Sequence, residues 1–328
     1  VQGLVSLVMP ALIGIVADRW IPAQKTLSLC HFISGLLMCA VGVYAWSSLP
    51  PNWTSLTPDQ LAGTVGFGTI FTLYTISVAF YMPTIGLCNS VAFNALEKAG
   101  LDTVKDFPPI RVFGTVGFIV AELLINFIHV GGVSIQGSFT QFLTSALFSL
   151  VMAFYSLTMP VCPVNKGKGG TLSEALGLNA FKLFRQKKMA IFFIFSMLLG
   201  VSLQITNGYG TMYIEQFKNI TEYAQGFLNG WFASNPTFLI SISQCSEAIC
   251  ILAIPFCLKR FGIKGVMMMA MFAWVLRFGL LGIGDTNMPG IFCLVLSCIV
   301  YGVAFDFFNV SGLSLIHISE PTRHLRIS

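Results

Sequence analysis

Three pairs of polar residues interrupt long apolar runs in this sequence, and in each pair the members are three residues apart. Gln204 and Asn207 lie in "LQITN", Gln244 and Glu247 in "SISQCSEAI", and Asp306 and Asn309 in "VYGVAFDFFN". That spacing puts both members on one helix face. An amide offers donor and acceptor together, which suits a neutral ligand rich in hydroxyls and ring nitrogens. A carboxyl beside an amide adds a strong acceptor and can also hold a proton, since low-dielectric surroundings disfavour a charge. Arg111, Thr115 and Phe118 form a fourth stripe at helical spacing. Each set has a plainer alternative. The amide pairs can serve as helix–helix hydrogen bonds, Asp306 can pair with Arg277, and Arg111 can be a snorkelling anchor at a helix start. Phe305 and Phe308 beside Asp306 can stack on a base or simply pack. Glu122 and Arg277 are the other ionisable residues inside apolar runs: Glu122 can line a cavity or, more simply, stand at a lipid edge or packing position, and Arg277 can pair with Asp306 or anchor near a helix end.

The elements that must position these residues follow from composition. The chain is 55% hydrophobic and 9% charged, with a mean hydropathy of +0.80, whereas a soluble domain is about 25% charged. Apolar runs of bilayer length, about 20 residues, recur along it. Inside lipid such runs must be helices. The pattern predicts helices over 1–17, 26–47, 63–90, 110–131, 139–160, 189–213, 237–258, 264–284 and 289–312. Fourteen of the 18 Lys and Arg fall in one set of alternate loops, around residues 19–25, 98–111, 166–188 and 259–264. The positive-inside rule places that set in the cytoplasm. The net charge of +5 does not suggest a nucleic-acid partner. The nine cysteines have no metal spacing and read as small apolar packers. No phosphate-binding loop or metal-ligand cluster is apparent, and no nucleophile stands beside a base, so an intramembrane enzyme is the weakest class.

Both ends read as interrupted. The chain opens on Val1 inside an apolar helix, which leads us to expect a preceding helix. At the other end, "LSLIHISEPTRHLRIS" (residues 313–328) reads as translated sequencing adapter, its first six residues matching the translation of CTGTCTCTTATACACATC. The expectation is that residues 313–328 are foreign to the natural protein.

Longer strings carry a resemblance. "GIVADRW", with Gly14, Asp18 and Arg19, resembles the cytoplasmic loop signature of the major facilitator superfamily. "MPALIGIVADRW", "YMPTIGLCNS", "DFPPIRVFGTVGF", "MAIFFIFSMLLG", "SISQCSEAI", "FGIKGVMM" and "VYGVAFDFFN" resemble, in order, the bacterial nucleoside:proton symporter family. The resemblance covers essentially all of residues 1–312. It implies an all-α polytopic membrane protein with the facilitator fold, truncated to about nine of twelve helices. Residues 1–160 would form the N-terminal bundle, 161–188 a cytoplasmic linker and 189–312 the C-terminal bundle. It further implies import of nucleosides with protons across the bacterial inner membrane, driven by the proton gradient without a cofactor, by a monomer in the lipid bilayer. A facilitator-type carrier for another neutral solute, such as a sugar, is the alternative. In the resembled family the acid matching Glu247 belongs to the substrate site and the stripe matching Arg111, Thr115 and Phe118 lines the central cavity; spacing adds Gln204, Asn207, Gln244, Asp306 and Asn309 as substrate-binding candidates, with Glu247 and Asp306 as proton-coupling candidates. The match also starts the Arg111 helix near Phe107, with the two prolines in its first turn, and gives Gly14, Asp18 and Arg19 a bracing role between conformations.

Overall fold

A computed structural model describes residues 2–56, 58–61, 63–101, 103–164, 184–185, 187–216, 235–285 and 288–319. Lys166, Lys168, Lys182, Lys218 and the tail from 320 to 328 lie outside the described residues. The helices are α1 (Gln2–Arg19), α2 (Ala23–Ser48), the short α3 (Pro58–Leu61), α4 (Phe67–Lys98), α5 (Thr103–Phe127), α6 (Thr140–Ser156), α7 (Lys187–Gln216), α8 (Pro236–Ile283) and α9 (Met288–Ser319). Six of the described helices are long and apolar enough to cross a membrane, judged by length and composition.

Several boundaries differ from the sequence expectation for local reasons. The helices expected over 237–258 and 264–284 are present as the two limbs of α8, two helices broken apart at Gly262, where φ is 69° and ψ 168°. That backbone conformation is open to glycine because it lacks a Cβ. Helix α5 stops at Phe127 and does not reach 131. Gly131 and Gly132, both at positive φ, turn the chain into a two-residue antiparallel hairpin, His129–Val130 against Val133–Ser134. At its start α5 begins at Thr103, so Arg111 lies more than two turns inside it and the prolines are not its first turn. Asp18 and Arg19 belong to the last turn of α1 and do not lie in a loop; Asp18 is exposed and Arg19 half-buried. The backbone of α9 continues as helix through residue 319, past the expected junction at 312–313.

The chain divides into two compact units: Val1–Phe107 with Phe127–Ile191, and Pro108–Asn126 with Phe192–Ser328. Most of α5 falls in the second unit.

In the first unit α2 is central, packing on α4 and α6. Small hydroxyl residues line its contacts. Ser28 Oγ donates to the Ala153 carbonyl at 2.6 Å, Ser77 Oγ donates to the Ser34 carbonyl at 3.1 Å, and Ser149 Oγ donates to the His31 carbonyl at 3.1 Å. Small residues let helix backbones approach closely, and their hydroxyls satisfy one another in lipid.

In the second unit the two limbs of α8 pack along α9. Gly302 of α9 lies so close to the first limb that a Cβ there would stand 2.5 Å from the Ser246 carbonyl oxygen. Ser246 Oγ donates to the Ile299 carbonyl at the same crossing. Tyr213 ties α7 to the second limb, donating to the Leu281 carbonyl at 2.9 Å.

Candidate functional site

The polar stripe of α5 meets the first limb of α8 at two points. Thr115 Oγ1 donates to Glu247 Oε1 at 3.4 Å, and Asn126 Nδ2 donates to Asn235 Oδ1 at 3.0 Å. Stepping forward on α5 steps backward on α8, so the two helices run antiparallel here. Thr115 and Glu247 are both buried. The close α8–α9 crossing at Gly302 then brings Asp306, one turn further along α9, into electrostatic range of Glu247, and the Arg111 charge acts on both carboxylates. Asp306 is 0% exposed, and neither of its carboxylate oxygens has a hydrogen-bond partner. A buried carboxylate without partners is costly charged and far less costly neutral.

The remaining candidates differ in exposure. Gln244 is half-buried one turn before Glu247, while Gln204, Asn207 and Phe118 lie on exposed faces of α7 and α5. Asn309 is half-buried and borders a cleft of about 300 Å³ between α7, the second limb of α8 and α9. The cleft is mostly apolar, with Leu199, Leu203, Trp274 and Phe305 among its walls and Ser196 as a second polar group.

Two of the open readings are decided differently. Arg277 does not pair with Asp306. Its Nη1 donates to the Ser297 carbonyl at 3.0 Å, Ser297 Oγ returns a bond to the Arg277 carbonyl at 3.0 Å, and the guanidinium lies 4.4 Å from the Tyr301 ring centroid. A backbone carbonyl and a π-face thus meet this weakly hydrated, planar cation, while its buried Nε has no hydrogen-bond partner. Phe308 is 8% exposed, stacks on Phe192 with centroids 6.1 Å apart, and borders the same cleft. Phe305 lies nearly parallel to Tyr301 at 5.6 Å and faces the cleft.

Tyr301 is the residue that sequence reasoning missed. It is 3% exposed and lies within electrostatic range of Glu122, Glu247, Arg277 and Asp306. Its signal was present in the string "VYGVAFDFFN": the one hydroxyl-bearing ring of that run, one turn before Phe305.

Comparison with known proteins follows this geometry. A family model described as "Nucleoside H+ symporter" matches residues 59–328. The xanthosine permease of Escherichia coli (strain K12) is 43% identical over 313 residues, which is 95% of this chain and 68% of that protein. The nucleoside permease NupG of the same organism is 41% identical over 311 residues, 94% of this chain and 68% of its own length. A crystal structure of the nucleoside transporter NupG superimposes with a TM-score of 0.72 at 39% identity, covering 99% of this chain and 73% of that one. A variant of the same transporter gives 0.77 at 40% identity. The chain thus spans about two thirds of the length of these relatives, with the facilitator-superfamily helical fold of a multi-pass bacterial inner-membrane protein, and it belongs to the nucleoside H+ symporter family.

Proposed function

We propose that this chain belongs to a carrier that imports nucleosides with protons by alternating access, and that its polar stripes hold the nucleoside. Arg111, Thr115 and Phe118 contribute from α5, and Gln204 and Asn207 from α7. Gln244 and Glu247 contribute from α8, and Asp306 and Asn309 from α9. The amides match ribose hydroxyls and ring nitrogens in both donor and acceptor sense. The names of the permease relatives support the substrate class. Transport requires no enzymatic step and no cofactor beyond the proton gradient. We place the carrier in the bilayer as a monomer, with Gly14, Asp18 and Arg19 bracing the cytoplasmic end of α1.

The observation that carries this reading is the pair of buried carboxylates, Glu247 hydrogen-bonded by Thr115 and Asp306 without a hydrogen-bond partner. A group that can bind both a proton and a nucleoside couples the two, because each event shifts the other by the same free energy. Glu247→Gln keeps size and hydrogen bonding but cannot titrate. If Glu247 couples, the variant loses gradient-driven accumulation of labelled uridine while exchange persists. If it holds substrate only, affinity falls while the surviving transport stays gradient-driven. Normal affinity together with normal coupling removes Glu247 from the site, and Asp306→Asn is then the informative variant.

A further inference from the structure

Glu122 has no part in the site described above, yet it continues the α5 stripe. Positions 111, 115, 118, 122 and 126 recur at three- and four-residue steps and so share one face. Two of these positions demonstrably face the first limb of α8, Thr115 at Glu247 and Asn126 at Asn235. Glu122 lies on that face between the two contacts. It is half-buried, and its Oε2 is buried with no hydrogen-bond partner. An acid within an apolar span is costly, and such residues face the bundle interior and mark ion or proton pathways.

The charge of Glu122 reaches Tyr301 of α9, and the same ring is in range of Glu247 on the first limb of α8, Arg277 on the second limb and Asp306 on α9. Arg111 is the charged residue on its own stripe. A rise of about 1.5 Å per residue places Glu122 about 10 Å along α5 from Thr115. The basic loops put the start of α5 at the cytoplasmic side, so Glu122 lies beyond Glu247 toward the opposite side. Asp306, 0% exposed with both oxygens unpartnered, stands within reach of the same ring as a second unsatisfied acid.

We propose that Glu122 is a proton-carrying residue of the transport cycle, receiving a proton from the non-cytoplasmic side and passing it to the Glu247–Asp306 pair. This rests on the proposed role of that pair in coupling. The step balances simply. A proton neutralises the Glu122 carboxylate, and the resulting carboxyl gives it up to the Glu247 or Asp306 carboxylate. The Tyr301 hydroxyl can serve by accepting one proton as it releases its own. No other bond forms or breaks, and no electron moves.

The full-length transporter in proteoliposomes tests this with two rates. One is nucleoside exchange without a gradient. The other is gradient-driven accumulation as external pH runs from acidic to alkaline. Glu122→Gln is expected to keep exchange within about threefold and to lose about tenfold or more of accumulation at alkaline external pH, where proton capture limits the cycle. Glu122→Asp, still an acid but one methylene shorter, is expected to accumulate nucleoside with a displaced external-pH midpoint. A Glu122→Gln profile that superimposes on the unaltered protein overturns the proposal. A Glu122→Asp midpoint identical to the unaltered protein overturns it too, even where the glutamine variant fails to assemble. Unaltered protein that exchanges nucleoside without any proton-driven accumulation takes down the coupling role of the pair as well. A silent Glu122 beside a coupling-defective Glu247→Gln takes down only the Glu122 step.

Discussion

Replacing Gly302 by alanine should loosen the α8–α9 crossing on which the carboxylate pair depends. The added Cβ would stand 2.5 Å from the Ser246 carbonyl oxygen and 2.6 Å from its carbonyl carbon and Oγ. The first two are backbone atoms, so no rotamer change relieves the clash. Restoring the 3.4 Å of an ordinary contact from 2.5 Å moves α9 off α8 by about 0.9 Å. Overpacking of this kind costs about 1–3 kcal/mol. The Ser246–Ile299 hydrogen bond at the same crossing adds about 0.6–1.7 kcal/mol if it breaks. A loss of about 2–4 kcal/mol should lower Tm by on the order of 5 °C or more, read by intrinsic fluorescence of the detergent-solubilised transporter. Gly279→Ala is the control, because a Cβ there meets nothing within 4 Å. Gly302→Ala should also reduce uptake, since Asp306 rides on the displaced helix one turn away. A Gly302→Ala protein with the Tm and uptake of Gly279→Ala would refute the reasoning.

Other consequences are equally direct. A double-mutant cycle on Asn126→Ala and Asn235→Ala should give a coupling energy of about 0.6 kcal/mol, reaching about 1.7 at most; additivity of the two Tm shifts would show that the α5–α8 register is not held there. Tyr301→Phe should leave stability close to unaltered because the ring under Arg277 remains, whereas Tyr301→Leu should lose about 2 kcal/mol of desolvated cation–π attraction, measured by the same thermal scan. Resequencing the locus from uncut genomic DNA should show a reading frame that diverges from this chain after Gly312; finding "LSLIHISEPTRHLRIS" encoded there would refute the adapter reading.

Much of the helix order was readable because the bilayer demands long apolar segments and leaves few alternatives. The boundaries that slipped were those set by single residues. The two helices expected on either side of Gly262 are there, broken apart at that residue, whereas Gly131–Gly132 ends α5 early through a turn that apolar periodicity does not register. Within the site, the three-residue spacing of Gln244 and Glu247 identified a face, and Glu247 is buried on it beside Thr115. Spacing along one helix says nothing about partners on another. That is why Arg277, which any charge-pairing argument sends to Asp306, instead meets the Ser297 carbonyl and the Tyr301 ring. The same limit explains Phe308, whose place beside Asp306 in sequence did not reveal that it packs against Phe192.

The Arg277 arrangement also bears on how the protein enters the membrane. Arg277 belongs to the second limb of α8, but the groups that satisfy it, Ser297 and Tyr301, belong to α9. A lone arginine at mid-helix costs the emerging segment about 2.5–3.5 kcal/mol on insertion scales, a penalty relieved once α9 arrives. Only residues 284–287 separate the two helices. The second limb should therefore linger at the translocon until α9 has been synthesised, and the pair should pass into lipid as one hairpin.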